Sequence, residues 1–368
     1  MGSSVLVRSH AALALAMAQR SREKKCIFQI MVIQQNYSLK QLNTFGIEVL
    51  AQHFSAFSTI DQLTALLSDQ HFISVPKLIL GGGSNLLFTK NVDGLVLKNE
   101  LKGIELIKED AEHYYVCVAA GEVWHNFVMH CIEHNYAGLE NLSLIPGNVG
   151  ASPMQNIGAY GVEIKDCFHE LQAYHIQEKT LHTFNKEACK FGYRESVFKQ
   201  QLKNQFIITS VTYRLNKKPV FKISYGAIEK ELEQQGVKEL SIRAISDAVC
   251  AIRRSKLPDP KVIGNAGSFF KNPEVAKNKF AFLQSRFPEI VGYPVENGNV
   301  KLAAGWLIEK CGWKGKRKGD AGVHALQALV LVNYGNASGK EIYKLSQEVM
   351  DSVMNTFGVT LEREVNIL

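Results

Sequence analysis

The chain has 368 residues, of which 46% are hydrophobic and 21% are charged, and its formal net charge is +7. Residues 1–30 carry five basic residues and one acidic residue, so the rest of the chain is nearly balanced, which argues against general nucleic-acid binding. No apolar run reaches the length of a membrane span. A chain of this length exceeds the size at which one core keeps growing, so two or three domains are expected.

The N-terminal residues and the cysteines indicate in which cellular compartment the protein is expected. Residues 1–30 are predicted to be a disordered extension rather than a targeting segment, because their apolar run is short and the SREKK that follows is not a usual mature start. The seven cysteines are scattered and form no C-x-x-C pair. Such a set is typical of reduced, mostly buried thiols, so we expect a cytoplasmic protein.

Strands and helices are predicted from hydrophobic periodicity and capping residues. Thr59 followed by Gln62, and Ser338 followed by Glu341, are typical of helix N-termini. Further helices are predicted over residues 122–134, 241–256 and 301–311. Strand-like runs are predicted at residues 77–80, 94–97, 114–119, 171–175, 206–215, 220–223 and 361–368. The alternation in the first half indicates βαβ-type organisation.

Three histidines lie off the apolar face of the helix predicted over residues 122–134: His125, His130 and His134. His130 and His134 have the i, i+4 spacing of two metal ligands, but no nearby cysteine or carboxylate motif completes a site. We therefore interpret these histidines as solvated helix surface and expect no metal.

Two glycine-rich loops are candidates for binding a ligand. The first, GGGSN at residues 81–85, follows a strand as a phosphate-binding turn does, although alone it could equally be a structural turn. The second, IPGNVGASPMQNIGAYG at residues 145–161, carries little charge and suits close wrapping around a ligand. Together the two loops could hold the halves of a pyrophosphate-bridged cofactor.

The stretch GNAGSFFKNP at residues 264–273 is predicted to place Ser268 on a tight loop, because its glycines and asparagine favour turns. Phe269 and Phe270 would shield that serine. From these residues alone, a plain hairpin hydroxyl is the simpler alternative to a functional site.

The two loops resemble the flavin-binding domain of the p-cresol methylhydroxylase or vanillyl-alcohol oxidase type. Five further motifs narrow the resemblance: NTFGI at 43–47, FGYRES at 191–196, KLPDPK at 256–261, GNAGSFFKNP at 264–273 and LEREV at 361–365. In this order, the chain from about Asn36 onward resembles the UDP-N-acetylenolpyruvoylglucosamine reductase (MurB) family.

The resemblance implies an α+β fold in three parts. Two α/β subdomains, residues 31–100 and 101–222, would form the FAD-binding domain. Residues 223–358 would form a C-terminal α+β substrate-binding domain, and the strand at 359–368 would return to the FAD-binding half.

The resemblance also implies an NADPH-dependent flavoenzyme that reduces the enolpyruvyl ether of a UDP-sugar in peptidoglycan precursor synthesis. Ser268 would be the proton donor, and Arg194 and Glu364 would lie around the substrate carboxylate. The implied substrate-binding residues are Tyr160, Tyr225, Lys256, Asn272 and Gln327. The implied FAD contacts are Gly81, Gly82, Gly83, Ser84, Asn85 and Leu86 in the first loop, and Pro146, Gly147, Gly150, Ala151, Ser152, Gln155, Asn156, Gly158, Ala159 and Gly161 in the second.

The residues leave some alternatives open. Asn148, Ala151 and Arg363 depart from the family pattern but leave the catalytic set intact. The basic run at 314–318 could approach the NADPH phosphate or form a solvated loop. We favour the solvated loop. A flavin oxidase of the same cofactor fold and a nucleotide-sugar binding protein without turnover stay open as functions, whereas a serine hydrolase is disfavoured because no G-x-S-x-G occurs. We expect a monomer without nucleic-acid or membrane partners.

Overall fold

The computed structural model describes residues 32–224, 227–295 and 297–368. Residues 1–30 and Tyr225, for which the sequence makes predictions, lie outside the described residues. Within these ranges no helix is both long and apolar enough to cross a membrane, and no cluster of His, Cys, Asp and Glu is placed to hold a metal ion. The six cysteines in the described ranges are free thiols.

The first part of the chain forms a four-stranded sheet in the order β1-β2-β5-β3. Its elements are β1 (Gln34–Ser38), β2 (Leu50–Phe57), α1 (Ile60–Ser68), β3 (Lys77–Leu80), β4 (Leu86–Leu87) and β5 (Val92–Asn99). β5 runs parallel to both β2 and β3, which confirms the predicted βαβ organisation. Thr59 caps α1 by accepting a hydrogen bond from the backbone N–H of Gln62 at 3.1 Å, as its spacing predicts.

The second part forms a five-stranded antiparallel sheet in the order β11-β10-β12-β7-β6. Its elements are β6 (Ile104–Glu109), β7 (His113–Ala119), α2 (Trp124–Glu133), β8 (Gly158–Ala159), β9 (Val162–Glu163), β10 (Phe168–His175), β11 (Leu181–Asn185), α3 (Lys186–Cys189) and β12 (Phe206–Asn216). The apolar face of α2 packs on this sheet, where Trp124 and Phe127 contact Tyr213.

The third part carries two small antiparallel sheets, β13-β19-β18-β17 and β14-β16-β15. Its elements are α4 (Ile228–Gln234), α5 (Ile242–Lys256), β13 (Gly264–Ser268), β14 (Glu274–Val275), α6 (Lys277–Arg286), β15 (Gly292–Pro294), β16 (Val300–Leu302), α7 (Ala304–Lys310), β17 (Arg317–Lys318), β18 (Ala321–Val323), β19 (Val330–Asn333), α8 (Gly339–Phe357) and β20 (Asn366–Ile367). The predicted capping box of Ser338 and Glu341 is present at the start of α8. Short 3-10 helices lie at Lys40–Leu42, Glu140–Leu142, Val149–Ala151, Ile164–Asp166 and Val197–Lys199.

One apolar core joins the beginning and the end of the described chain. It contains Phe45 and Val96 from the first part together with Phe269, Val349 and Val365 from the last. In addition, β20 pairs in parallel with β4, so the end of the chain returns to the first glycine loop. The domain boundaries given by the resemblance stay a prediction.

Three predicted helix or strand segments are wrong in type or in bounds. Residues 220–223 form no strand, and Val220 is exposed without a neighbouring strand to pair with. The segment 301–311 begins as strand β16, and its helix starts only at Ala304. In the segment 361–368, only Asn366–Ile367 is a strand.

Candidate active site

The two glycine-rich loops touch each other. A Cβ atom on Gly82 would lie 2.7 Å from Gly147 Cα, and a Cβ atom on Gly147 would lie 2.7 Å from Ser84 Oγ. Asn85 strengthens the contact, because its Nδ2 donates to Gln155 Oε1 at 2.7 Å. The two loops therefore approach each other closely, and the absence of side chains at Gly82 and Gly147 leaves the room for this.

The first loop has unused hydrogen-bond donors. Its carbonyl groups at Gly81 and Gly83 accept from Lys98 Nζ and from the Thr44 N–H, respectively. By contrast, the backbone N–H groups of Gly82, Gly83 and Ser84 donate to no other described residue. Successive free N–H groups without side chains in the way fit the oxygens of a pyrophosphate, so the loop is suited to the predicted FAD.

Several polar side chains of the second loop are used within the protein. Ser152 Oγ lies 2.6 Å from the Tyr213 hydroxyl, and Asn156 Nδ2 donates to both Glu163 Oε2 and the Gly192 carbonyl at 3.0 Å. Both residues are fully buried, and these hydrogen bonds of their side chains fix the shape of the loop. The other predicted contacts lie along the same loop: Pro146 before Gly147, Gly150 and Ala151 in a 3-10 helix, Gly158 and Ala159 in β8, and Gly161 at φ +78°.

The motif at residues 43–47 links the first loop to the strand of Ser268. The Thr44 N–H donates to the Gly83 carbonyl, and the Thr44 carbonyl accepts from the Asn265 N–H, both at 3.0 Å. A Cβ atom on Gly264 would lie 2.3 Å from the Phe45 carbonyl oxygen, so the approach requires glycine. Three motifs that are far apart in the sequence thus meet at one place.

Ser268 lies on a bulged strand, and the predicted tight turn is wrong. β13 pairs with β19, but its register shifts between Asn265 and Ser268. Gly267 adopts φ +70° and donates its N–H to Asn265 Oδ1 at 2.9 Å, so the turn-forming residues make a bulge inside a strand. The Ser268 side chain is exposed and makes no hydrogen bond to another described residue. Its hydroxyl is therefore available to a ligand.

Arg194 is held in a strained two-residue turn. Gly192 and Glu195 exchange backbone hydrogen bonds, and Arg194 between them adopts φ +56°, a conformation that non-glycine residues rarely take. Its Nη2 donates to the Gly158 carbonyl of the second loop at 2.7 Å. Its buried Nε lies 3.0 Å from Glu364 Oε1, but that N–H points at no acceptor among the described residues. The contact with Glu364 is thus a buried ion pair at hydrogen-bonding distance.

Glu364 lies beside the strand of Ser268. Its N–H donates to the Phe269 carbonyl at 2.8 Å, and its carbonyl accepts from Asn85 Nδ2 of the first loop at 3.4 Å. Burial raises the pKa of the Glu364 carboxyl, although Arg194, Lys199 and Lys271 act in the opposite direction. The structure thus brings Glu364 and Arg194 into direct contact, next to the residue that follows Ser268.

Three of the predicted substrate-binding residues lie in the third part of the chain, and Tyr160 lies in the second. Asn272 Oδ1 accepts from the Ala304 N–H at 3.0 Å, and Gln327 Oε1 would lie 3.3 Å from a Cβ atom on Gly305, so both lie at the start of α7. Lys256 is the exposed last residue of α5. Tyr160 adopts φ +51° in the second loop.

Sequence reasoning assigned no role to Arg253 or Lys271. Burial lowers the pKa of Arg253, although Tyr160 acts in the opposite direction, and Arg253 Nε donates to the Leu144 carbonyl at 3.3 Å. Arg253 belongs to the RRSK run that ends at the first residue of KLPDPK. Lys271 is buried with two carboxylates, and its place in the apolar SFFKNP run was the available signal.

The prediction that His125 lies on solvated helix surface is also wrong. His125 is half-buried, and its Nδ1 accepts from the Leu144 N–H at 3.0 Å. Burial and the charges of Arg254 and Arg253 lower the pKa of this histidine.

Comparison with known proteins identifies the family. Residues 259–368 match the family model of the UDP-N-acetylenolpyruvoylglucosamine reductase C-terminal domain, and residues 51–183 match that of an FAD binding domain. The curated UDP-N-acetylenolpyruvoylglucosamine reductase of Flavobacterium johnsoniae is 53% identical over 92% of this chain and 100% of its own length. That of Amoebophilus asiaticus is 52% identical over the same shares. The chain belongs to the UDP-N-acetylenolpyruvoylglucosamine reductase family.

A solved structure agrees at the level of the fold. The UDP-N-acetylenolpyruvylglucosamine reductase of Thermus caldophilus has a TM-score of 0.65 and 23% identity, covering 92% of this chain and 99% of that one. Membership of the reductase family confirms the predicted α+β fold, and the matched FAD binding domain confirms the predicted flavin cofactor. The roles of the individual site residues stay predictions.

Proposed function

We propose that this chain reduces the enolpyruvyl ether of UDP-N-acetylglucosamine enolpyruvate to UDP-N-acetylmuramate, with FAD as cofactor and NADPH as reductant. The observation that carries the proposal is the Arg194–Glu364 ion pair, which lies between the second glycine loop and the strand of Ser268. Membership of the reductase family supports the same reaction.

Arg194 is the cation for the substrate. When bound and reduced by NADPH, FAD would supply the hydride that adds to the vinyl carbon distal to the substrate carboxylate. Negative charge then develops on the carboxylate-bearing carbon as an enolate. The positive charge of the Arg194 guanidinium can stabilise that anion, and the two-residue turn and the Gly158 carbonyl hold the guanidinium in position before the reaction. Donors held in advance are usually the largest contribution to catalysis.

Ser268 supplies the proton. A serine hydroxyl is a poor acid, so its proton transfer needs a nearby cation to stabilise the alkoxide that remains. Arg194 serves this purpose as well. Glu364 shares the work in its protonated form, which its raised pKa makes more accessible than for an exposed glutamate.

The remaining predicted residues bind the UDP-sugar. Asn272 uses its Oδ1 to fix α7, which leaves its Nδ2 for the substrate. Gln327 lies at the same helix start, and Lys256 offers a charge without a partner among the described residues. We assign these three side chains to the diphosphate and uridine, and Tyr160 to the region between flavin and sugar.

Absorbance spectroscopy tests the function. The purified protein is expected to show flavin bands that bleach with NADPH and recover, without oxygen, on addition of the enolpyruvyl UDP-sugar. Recovery only with oxygen would favour a flavin oxidase, and a flavin that NADPH does not bleach would favour a binding protein without turnover. A colourless protein that cannot be reconstituted with FAD would contradict the proposal.

The oligomeric state and the cellular compartment are also part of the proposal. We infer a monomer in the cytoplasm, since the substrate is a soluble nucleotide sugar. Sedimentation at working concentrations should give the mass of one chain, and a stable dimer would contradict this.

A further inference from the structure

Lys271 is a buried lysine with two carboxylate partners. Its Nζ lies 3.1 Å from Glu195 Oε1 and 2.5 Å from Glu362 Oε1, and the residue is 8% exposed. Burial alone would lower the pKa of Lys271, but the two carboxylates outweigh it and raise the pKa, so the side chain is charged. A buried charge of this kind is tolerated only with good partners.

Each partner of Lys271 is a near neighbour of a proposed catalytic residue. Glu195 directly follows Arg194, and Glu362 lies two residues before Glu364. The Lys271 N–H also donates to the Glu362 carbonyl at 2.9 Å. Lys271 itself lies three residues after Ser268 on the same segment. The three proposed catalytic side chains come from three separate stretches of the chain. Lys271 lies on the stretch of Ser268 and contacts one residue in each of the other two stretches.

The two carboxylates do not depend equally on Lys271. Glu195 also lies 3.7 Å from Lys199 Nζ and accepts from Gln200 Nε2 at 2.9 Å. The Glu362 side chain is 69% exposed and has no other cation within ion-pair distance among the described residues. The distances to Nζ place the two carboxylate oxygens within about 6 Å, where like charges repel. Without the lysine, we expect the more exposed Glu362 to move away.

We propose that Lys271 is a positioning residue: by binding Glu195 and Glu362 together, it fixes the Arg194 turn relative to the segment that carries Glu364. This inference rests on the proposed reductase function. Lys271 forms no ion pair with Arg194 or Glu364, so it acts on the positions of these residues through its two partners. A misplacement of about 1 Å can cost about 10²-fold in rate, which sets the size of the expected effect.

The test separates the two half-reactions. Flavin reduction by NADPH and flavin reoxidation by the enolpyruvyl UDP-sugar are measured separately by stopped-flow absorbance in wild type, Lys271→Gln and Lys271→Arg. Lys271→Gln should bind FAD and be reduced at the wild-type rate but be reoxidised about 10²-fold more slowly. Lys271→Arg, which keeps the charge and can reach both carboxylates, should recover most of the reoxidation rate. The matched control is Lys310→Gln, because Lys310 forms an exposed ion pair with Glu289 at 2.6 Å, and it should leave both rates unchanged.

A pH profile adds a readout that a merely structural role would not change. Arg194, Lys199 and Lys271 are the cations that act on Glu364. Removing one of them in Lys271→Gln should shift the alkaline fall of the reoxidation rate to higher pH. If this shift were absent, the inference about Lys271 would be contradicted. The proposed function would not be, because the wild-type protein would still be reoxidised by the sugar.

Other outcomes would overturn the inference. If both half-reactions slow equally in Lys271→Gln together with a fall in Tm, the lysine supports the fold in general. If neither half-reaction changes, the lysine has no positioning role. Should Lys271→Gln fail to fold, Glu362→Gln on the exposed partner decides the matter: it should slow reoxidation selectively, and an unchanged rate contradicts the inference. Failure of wild-type protein to be reoxidised by the sugar contradicts the proposed function instead.

Discussion

Ser268 has an exposed hydroxyl at the end of a bulged strand, next to the residue that binds the Glu364 N–H. If it is the proton donor, Ser268→Ala should lower the rate of product formation by about 10²- to 10⁴-fold, the usual loss for a general acid. Flavin reduction by NADPH should stay unchanged, because no proton from the serine is needed there. Ser285→Ala is the control, since that exposed hydroxyl only bonds the Phe282 carbonyl of its own helix. A loss below about 10-fold would argue for another donor.

The raised pKa of Glu364 predicts that the activity depends on pH. Burial raises its pKa, so the carboxyl stays protonated above the ordinary range of glutamate. If the protonated form is needed, the reoxidation rate should be constant at low pH and fall as pH rises through the raised pKa. Glu364→Gln cannot titrate, so its slower rate should lack this fall. A fall of equal size in Glu364→Gln would assign it to another group.

The same pKa shift acts on stability. The folded state binds the Glu364 proton more tightly than the unfolded chain does. The tighter proton binding stabilises the folded state and so raises the free energy of unfolding. This stabilisation is fully present below the ordinary pKa of glutamate and is lost as pH rises through the raised pKa.

At the scale of elements, the glycine loops depend on close backbone contact. A Cβ atom on Gly82 would lie 2.7 Å from Gly147 Cα, whereas one on Gly81 would have only Asn148 Cβ at 3.7 Å. Gly82→Ala should therefore push the loops apart and lose FAD during purification. Gly81→Ala should retain more FAD, measured as flavin absorbance per protein. Equal retention by the two variants would contradict the importance of this contact.

Local signals in the sequence predicted many of these elements. The caps at Thr59 and Ser338 and the apolar face of α2 follow from spacing that acts within one or two turns of helix. The turn predicted around Ser268 failed because pairing with Val330 overrides the local preference of Gly267 and Asn265. The position of Lys271 between Glu195 and Glu362 could not be predicted, since those residues are brought together only by the tertiary fold.

At the scale of the whole molecule, β20 connects the end of the described chain to the first loop. Asn366 donates to the Asn85 carbonyl from both its N–H at 3.1 Å and its Nδ2 at 2.9 Å. A chain shortened after Val365 keeps Glu364 but loses these bonds and the pairing with β4. We expect it to release FAD at a lower urea concentration than the full chain, followed by flavin fluorescence. Release at the same concentration would show that β20 does not support the loop.

The single core that joins Phe45 and Val96 to Phe269 and Val349 has a consequence for synthesis of the protein. The first sheet cannot cover its apolar face until some 250 further residues have been translated, which takes on the order of tens of seconds. During that time the nascent chain exposes a sheet face that would aggregate if two ribosomes brought copies together. Asn85 of the first glycine loop and Glu364, which are 279 residues apart in the sequence, come into contact only in that late step.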